Sequence, residues 1–227
     1  MISVMIFGTP VKVSFKFLLI VAILWGGVTW LELYWHPERE FWQCLFIGFL
    51  TVLLLLFAEY GHPLGHIFSA RYAGAPMDEI RISLDMARTL YTNNDVLPKV
   101  HCMRALGGPI FNLIGLLLSL AIYAVASGNP IAIELSGWSA LGHGLLLIMS
   151  LSPIPSVDGG TILKWTLVER GETEREADEM VRRIDWVMGI GAVIIGVAAI
   201  AMKIWIAGLI LVGIGIVVIG VTVRKIK

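Results

Sequence analysis

The feature that most constrains this chain is the recurrence of apolar runs about 20 residues long, the length a helix needs to cross a hydrocarbon layer. The 227 residues are 57% hydrophobic and only 15% charged, with a mean hydropathy of +0.83. A soluble domain cannot wet its surface with so little charge, so the expected fold class is an all-α polytopic membrane protein. Six spans are expected, at about 13–33, 42–73, 104–127, 135–152, 187–202 and 204–223. Between the fourth and fifth lies "DGGTILKWTLVERGETEREADEMVRRIDW", which reads as one or two helices at the membrane surface. Residues 1–170 form the expected membrane core, and residues 171–227 add the surface segment and two further spans.

Charge suggests the orientation. Fifteen of the 17 Lys and Arg flank the spans on the side of the N-terminus, whereas Arg39 and Lys203 fall on the other. By the positive-inside rule both termini are then cytoplasmic, in an expected prokaryotic plasma membrane. The balance of 17 basic against 17 acidic residues excludes an electrostatic nucleic-acid partner. Two cysteines, Cys44 and Cys102, make no disulfide framework.

Short β elements are expected beside the spans. "MISVMIFGTPVKVSF" alternates like a strand, and no small-residue cleavage site follows the first apolar run. In the segment 77–100, "EIRISL" alternates and "TLYTNND" supplies turn chemistry, so a membrane-associated hairpin is expected.

The second span carries "FAEYGHPLGHIFSARYAGA". A helix turns about 100° per residue, so His62 and His66 share one face a turn apart and can reach one ion. Two polar residues satisfied by neighbouring helices would show the same pattern. Ionisable groups within spans are, however, usually functional. Asp158, in "SLSPIPSVDGGTILKW", is the best third ligand, although an Asp before two glycines and a helix also reads as an N-cap. Two imidazoles and a carboxylate form the ligand set of a catalytic zinc.

Four stretches, in order over residues 7–170, resemble the site-2 protease family of intramembrane zinc metallopeptidases. "HPLGHIFSARYAG" follows the family's His-Glu-x-x-His pattern, with Ala70 and Gly74 downstream. "ALGGPIFNLIG", with Gly108, Pro109 and Asn112, is similar to its Ala-Gly-Pro-x-x-Asn stretch. "SPIPSVDGGTIL" is similar to its Asp-Gly-Gly stretch, and "FGTPVKVSFKFLL" to its N-terminal strand. The resemblance implies one zinc per chain held by His62, His66 and Asp158. It also implies a single-pass membrane protein as substrate, its helix opened beside span 3 and the hairpin, with Gly108 and Asn112 contacting it. Cleavage would fall near the cytoplasmic face.

Two positions depart from the pattern. The family's glutamate, which takes a proton from the attacking water and returns one to the leaving amine, is Pro63 here. That role is worth roughly 10²–10⁴ in rate, or about 3–5 kcal/mol of barrier. The asparagine eight residues before the aspartate is Ser150, a shorter group with fewer donors. Glu59 lies about 60° round from His62, one turn earlier. Pro63 removes the backbone bond to the Glu59 carbonyl, which predicts a kink that could swing Glu59 in as a displaced base or a fourth ligand. The alternative is a catalytically inactive homologue that binds membrane helices or metal without cutting. Asn112 can equally be interhelical glue. His143 reads as a packing or hydrogen-bonding residue, and His36 and His101 as loop or interface residues.

Overall fold

The structure is a computed structural model that describes residues 2–82, 87–155 and 157–224. Seven helices and four strands follow in the order β1 (Ile2–Ile6), β2 (Thr9–Val13), α1 (Phe17–Trp35), α2 (Phe41–Tyr72), β3 (Glu79–Ile82), β4 (Ala87–Leu90), α3 (Pro98–Val125), α4 (Pro130–Leu151), α5 (Asp158–Glu169), α6 (Glu174–Ala201) and α7 (Trp205–Arg224). Five of them, α1, α2, α3, α4 and α6, are long and apolar enough to cross a membrane. The apolar α7 brings the number to roughly the six expected.

Several details differ from the expectation. The N-terminal strand is a hairpin, because Phe7 and Gly8 both adopt positive φ (45° and 69°) and turn β1 back along β2. Such a turn usually takes Asn-Gly or Asp-Gly, so Phe-Gly gave little warning of it. The expected second hairpin is β3–β4, whose connection at 83–86 lies outside the described residues, as do the last two lysines of the charge count. The fifth span is the later part of a longer helix. α6 starts at Glu174 on a capping box in which Thr173 and Glu176 satisfy each other's backbone N–H groups. The surface segment is thus α5 plus the polar beginning of a helix that continues as a span.

The chain divides into two compact units. The first comprises residues 1–96 and 103–149. In it β2 pairs in parallel with β3, joining both hairpins into one sheet of order β1-β2-β3-β4. The Lys12 ammonium donates to Glu79 Oε2 across this junction at 2.6 Å. Lys12, with Arg81 beside it, holds the Glu79 carboxyl below its usual value. The sheet packs on the second half of α2, where Val11, Met77, Ile80 and Ile82 enclose Ile67 and Ala70. Ile67 directly follows His66, so the apolar side of this turn is clamped while the histidines face α3.

Helices α2 and α3 approach to backbone contact. A Cβ on Gly65 would overlap the Gly107 carbonyl, and one on Gly107 the Gly65 carbonyl. Arg104, 4% exposed, donates from Nε to the Ala75 carbonyl (2.9 Å) and from Nη1 to the Asn93 carbonyl (3.0 Å). It thereby ties both ends of the β3–β4 segment to α3.

The second unit comprises residues 97–102 and 150–227. His101 stacks on Trp165 of α5, with centroids 3.9 Å apart and the planes at 4°. α6 and α7 pack through glycine, Gly189 against Gly215 and Gly196 against Gly208. The buried Asp185 accepts from the Thr222 hydroxyl between them.

Gly107→Val should lower the thermal midpoint in detergent by an amount equivalent to about 1–3 kcal/mol, because neither backbone can retreat. Gly220→Val is the control: it meets nothing within 4 Å, and its melting curve should match the parent's.

Candidate metal centre

α2 runs unbroken from Phe41 to Tyr72, with Pro63 buried inside it. His62 and His66 lie on its α3-facing side with their Nε2 atoms 3.2 Å apart and their ring planes at 80°. This is close to the spacing of two nitrogens on one tetrahedral zinc, whose Zn–N bonds are about 2.0–2.1 Å.

Each ring is fixed through its other nitrogen. His66, 5% exposed, donates from Nδ1 to the Arg104 carbonyl at 2.8 Å. Ser69 donates to the same carbonyl at 3.0 Å. The Gly108 N–H also points at His66 Nδ1, but at 3.3 Å the contact is longer, so the carbonyl sets the tautomer. His62 Nδ1 meets the Asn112 amide nitrogen at 2.9 Å. The Asn112 oxygen in turn accepts from His143 Nδ1, also at 2.9 Å. Asn112 and His143 are 0% and 2% exposed.

The polar atoms therefore form one chain across α4, α3 and α2. Followed from one end, His143 donates to Asn112, Asn112 to His62, His62 to His66, and His66 to the Arg104 carbonyl. Each link of this chain pairs a donor with an acceptor, as a water-poor layer demands. In this arrangement the proton of His62 sits on Nε2. Metal binding through both Nε2 atoms requires that proton to leave or move to Nδ1. Turning the Asn112 amide over would provide the matching acceptor, its oxygen then facing His62 Nδ1 and its nitrogen facing His143. Asn112 and His143 thus set which histidine tautomer is held, the usual task of groups behind a metal ligand.

The structure therefore brings His62, His66, Gly108 and Asn112 together. Gly108 lies against the His62 ring, where any Cβ would overlap the imidazole. Glu59 is half-buried one turn before His62 and makes no hydrogen bond or ion pair among the described residues. Ser150 and Asp158 belong to the second unit. Ser150 is 8% exposed near the end of α4. Asp158 is the first residue of α5, and the cap position is Val157, which makes no side-chain cap bond. Asp158 is therefore not the N-cap the sequence allowed. Behind it, a Cβ on Gly159 would overlap the Leu151 carbonyl and one on Gly160 the Ile154 carbonyl. The paired glycines let the aspartate-bearing turn fold onto the Pro-rich stretch before it.

Sequence reasoning gave His143 no role at the histidine pair and did not single out Arg104. Both connections span more than 30 residues, so no local spacing announces them.

No protein-family model matches the chain, and no curated protein matches it. Among solved structures, the site-2 protease from Methanocaldococcus jannaschii matches over 100% of this chain and 95% of its own, at a TM-score of 0.58 and 18% identity.

Asn112→Leu should weaken zinc binding about 10–100-fold, because His62 loses the group that orients it. Asn112→Asp should bind at least as well as the parent, since a carboxylate accepts from His62 Nδ1 without turning over. Competition with a chromophoric chelator in detergent measures both.

Proposed function

We propose that this chain, whose fold is site-2 protease-like, is an intramembrane zinc metallopeptidase-like protein that engages and cleaves the transmembrane segments of single-pass membrane proteins. The observation that carries this reading is the His62–His66 pair, with both Nε2 atoms turned toward each other in a membrane-spanning helix. In this proposal Asp158 is the third ligand. Zinc held there would supply Lewis-acid activation of water and of the peptide carbonyl.

The chain's own residues would do the rest. Glu59 is the only carboxylate within one helical turn of His62 in α2. Lacking an ion-pair partner among the described residues, it is free to take a proton from the attacking water and return it to the leaving amine. Ser150 would offer one hydroxyl to the carbonyl of the bond being cut, a donor whose full loss costs roughly 10²–10³ in rate. Gly108 and Asn112, both buried against His62, would border the unwound substrate. In the proposed orientation the termini face the cytoplasm, and cleavage falls on that side.

Pro63 favours a second reading, in which the site holds metal and binds a client helix without cutting. Proline can neither accept nor deliver a proton, so only Glu59 separates the two readings.

The test is cleavage of a single-pass peptide in detergent by the zinc-loaded chain, against Glu59→Gln and Pro63→Glu. On the first reading Glu59→Gln loses roughly 10²–10⁴ of the rate. On the second the parent is inactive, and only Pro63→Glu cuts. A parent that neither binds zinc nor loses any upon His66→Ala would remove both.

A further inference from the structure

Polar groups collect at a second place in the first unit, where α1 ends and α4 begins. Glu32 lies in the last turn of α1, His36 caps that helix, Arg39 sits in the following loop and Glu134 opens α4. Glu32 is 0% exposed. Its Oε2 accepts from Arg39 Nη1 at 2.8 Å, and Glu134 Oε2 accepts from Arg39 Nη2 at 2.7 Å. One guanidinium thus serves two carboxylates, and one negative charge is left over in a buried cluster. That is costly unless a proton or a cation meets it.

We propose that Glu32, His36 and Glu134 form a second divalent-cation site, with a ligand set suited to zinc. Three observations carry it. First, Glu32 Oε1 is buried and accepts no hydrogen bond, although a carboxylate oxygen in such a place needs a donor or a cation. Second, one ligand atom from each of the three residues lies within 4.8 Å of the others. Third, the groups behind them are already arranged for ligation. Arg39 occupies the Oε2 atoms of both glutamates, which leaves Oε1 of the buried Glu32 for a cation. His36 Nδ1 lies 3.2 Å from Glu38 Oε1, so its proton is directed there and the Nε2 lone pair faces Glu134, 3.8 Å away. A carboxylate behind an imidazole ligand fixes its tautomer and raises its basicity.

Glu134 also borders an open, largely apolar cavity of about 360 Å³ lined by Trp35, Tyr123 and Trp138 among others. Glu32 and His36 stand four residues apart, as His62 and His66 do, so each pair projects onto one helix face. The site lies before the start of α2 and the histidine pair more than twenty residues into it, roughly 30 Å along the helix. The two sites therefore cannot share an ion. The rival explanation is a charge-balanced ion-pair cluster in which a protonated His36 supplies the missing positive charge.

The experiment uses the full chain carrying His66→Ala, so that the first site cannot contribute. The protein is stripped with chelator in detergent and titrated with Zn²⁺ alone. Bound zinc is counted by mass spectrometry, and melting is followed with and without the ion. About one equivalent of zinc and a raised melting temperature are expected, and both should disappear on adding Glu134→Gln or His36→Gln. Glu134→Gln breaks an Arg39 pair and can unfold the chain, whereas His36→Gln leaves both Arg39 contacts intact and decides the matter alone. The proposal is overturned if the His66→Ala chain binds no zinc. It is equally overturned if binding survives His36→Gln unchanged, since the metal would then lie elsewhere. Neither result bears on the histidine pair of α2, whose failure would show only in the chain with His66 intact.

Discussion

The histidine site depends on one constraint, the distance at which α3 can pass α2. Gly65 and Gly107 bring the two backbones into contact, and that contact places the Arg104 carbonyl within reach of His66 and Asn112 within reach of His62. In lipid the apolar side chains of two helices gain little by meeting each other rather than acyl chains, so small residues and polar bonds must hold the crossing. Gly108, the residue after Gly107 along α3, leaves His62 the room its ring needs. Separating the helices by one methyl group would break the crossing and strand two imidazoles in a layer without water. Stability and metal readiness are here one property.

Pro63 sits in the turn between the two histidines without disturbing either of them. The helix continues through it, and both imidazoles keep their partners on α3. Proline removes the N–H that would bond the Glu59 carbonyl, which frees the backbone of the turn carrying Glu59. The hydrogen-bond chain from His143 to the Arg104 carbonyl passes through both histidines beside Pro63, and buried polar chains of this kind are costly when any member fails.

Much of the architecture was legible in sequence, for reasons that also explain what was not. The expected second span at 42–73 and the observed α2 at Phe41–Tyr72 agree because a span is set by a long composition signal. The continuity of α6 from surface helix into span was not expected, because its first three turns are polar, although "TERE" marked its start with a capping box. The Phe7–Gly8 turn escaped because its first residue takes positive φ without the usual Asn or Asp. The histidine pair was visible because its geometry is local, four residues on one helix. Asn112 was visible only as a motif position, and its actual partners, His62 and His143, are 50 and 31 residues away. Contacts at that range follow from which faces the helices turn to one another.

The cluster at the end of α1 shows the same limit from the other side. In sequence His36 reads as a loop or interface residue and Arg39 counts only for its charge, while Glu32 and Glu134 have no partner in view. Only the return of α4 beside α1 makes them a group, and only then does the arithmetic of charge become visible, with two acids against one guanidinium. Arg39 cannot be replaced there by lysine on equal terms, since a planar fork reaches two carboxylates at once while an ammonium is a single point charge. The guanidinium takes one oxygen from each glutamate and leaves the other, which turns an ion pair into an open ligand set. A residue that sequence counting used only for its sign therefore decides, through its shape, what the acids beside it can still hold.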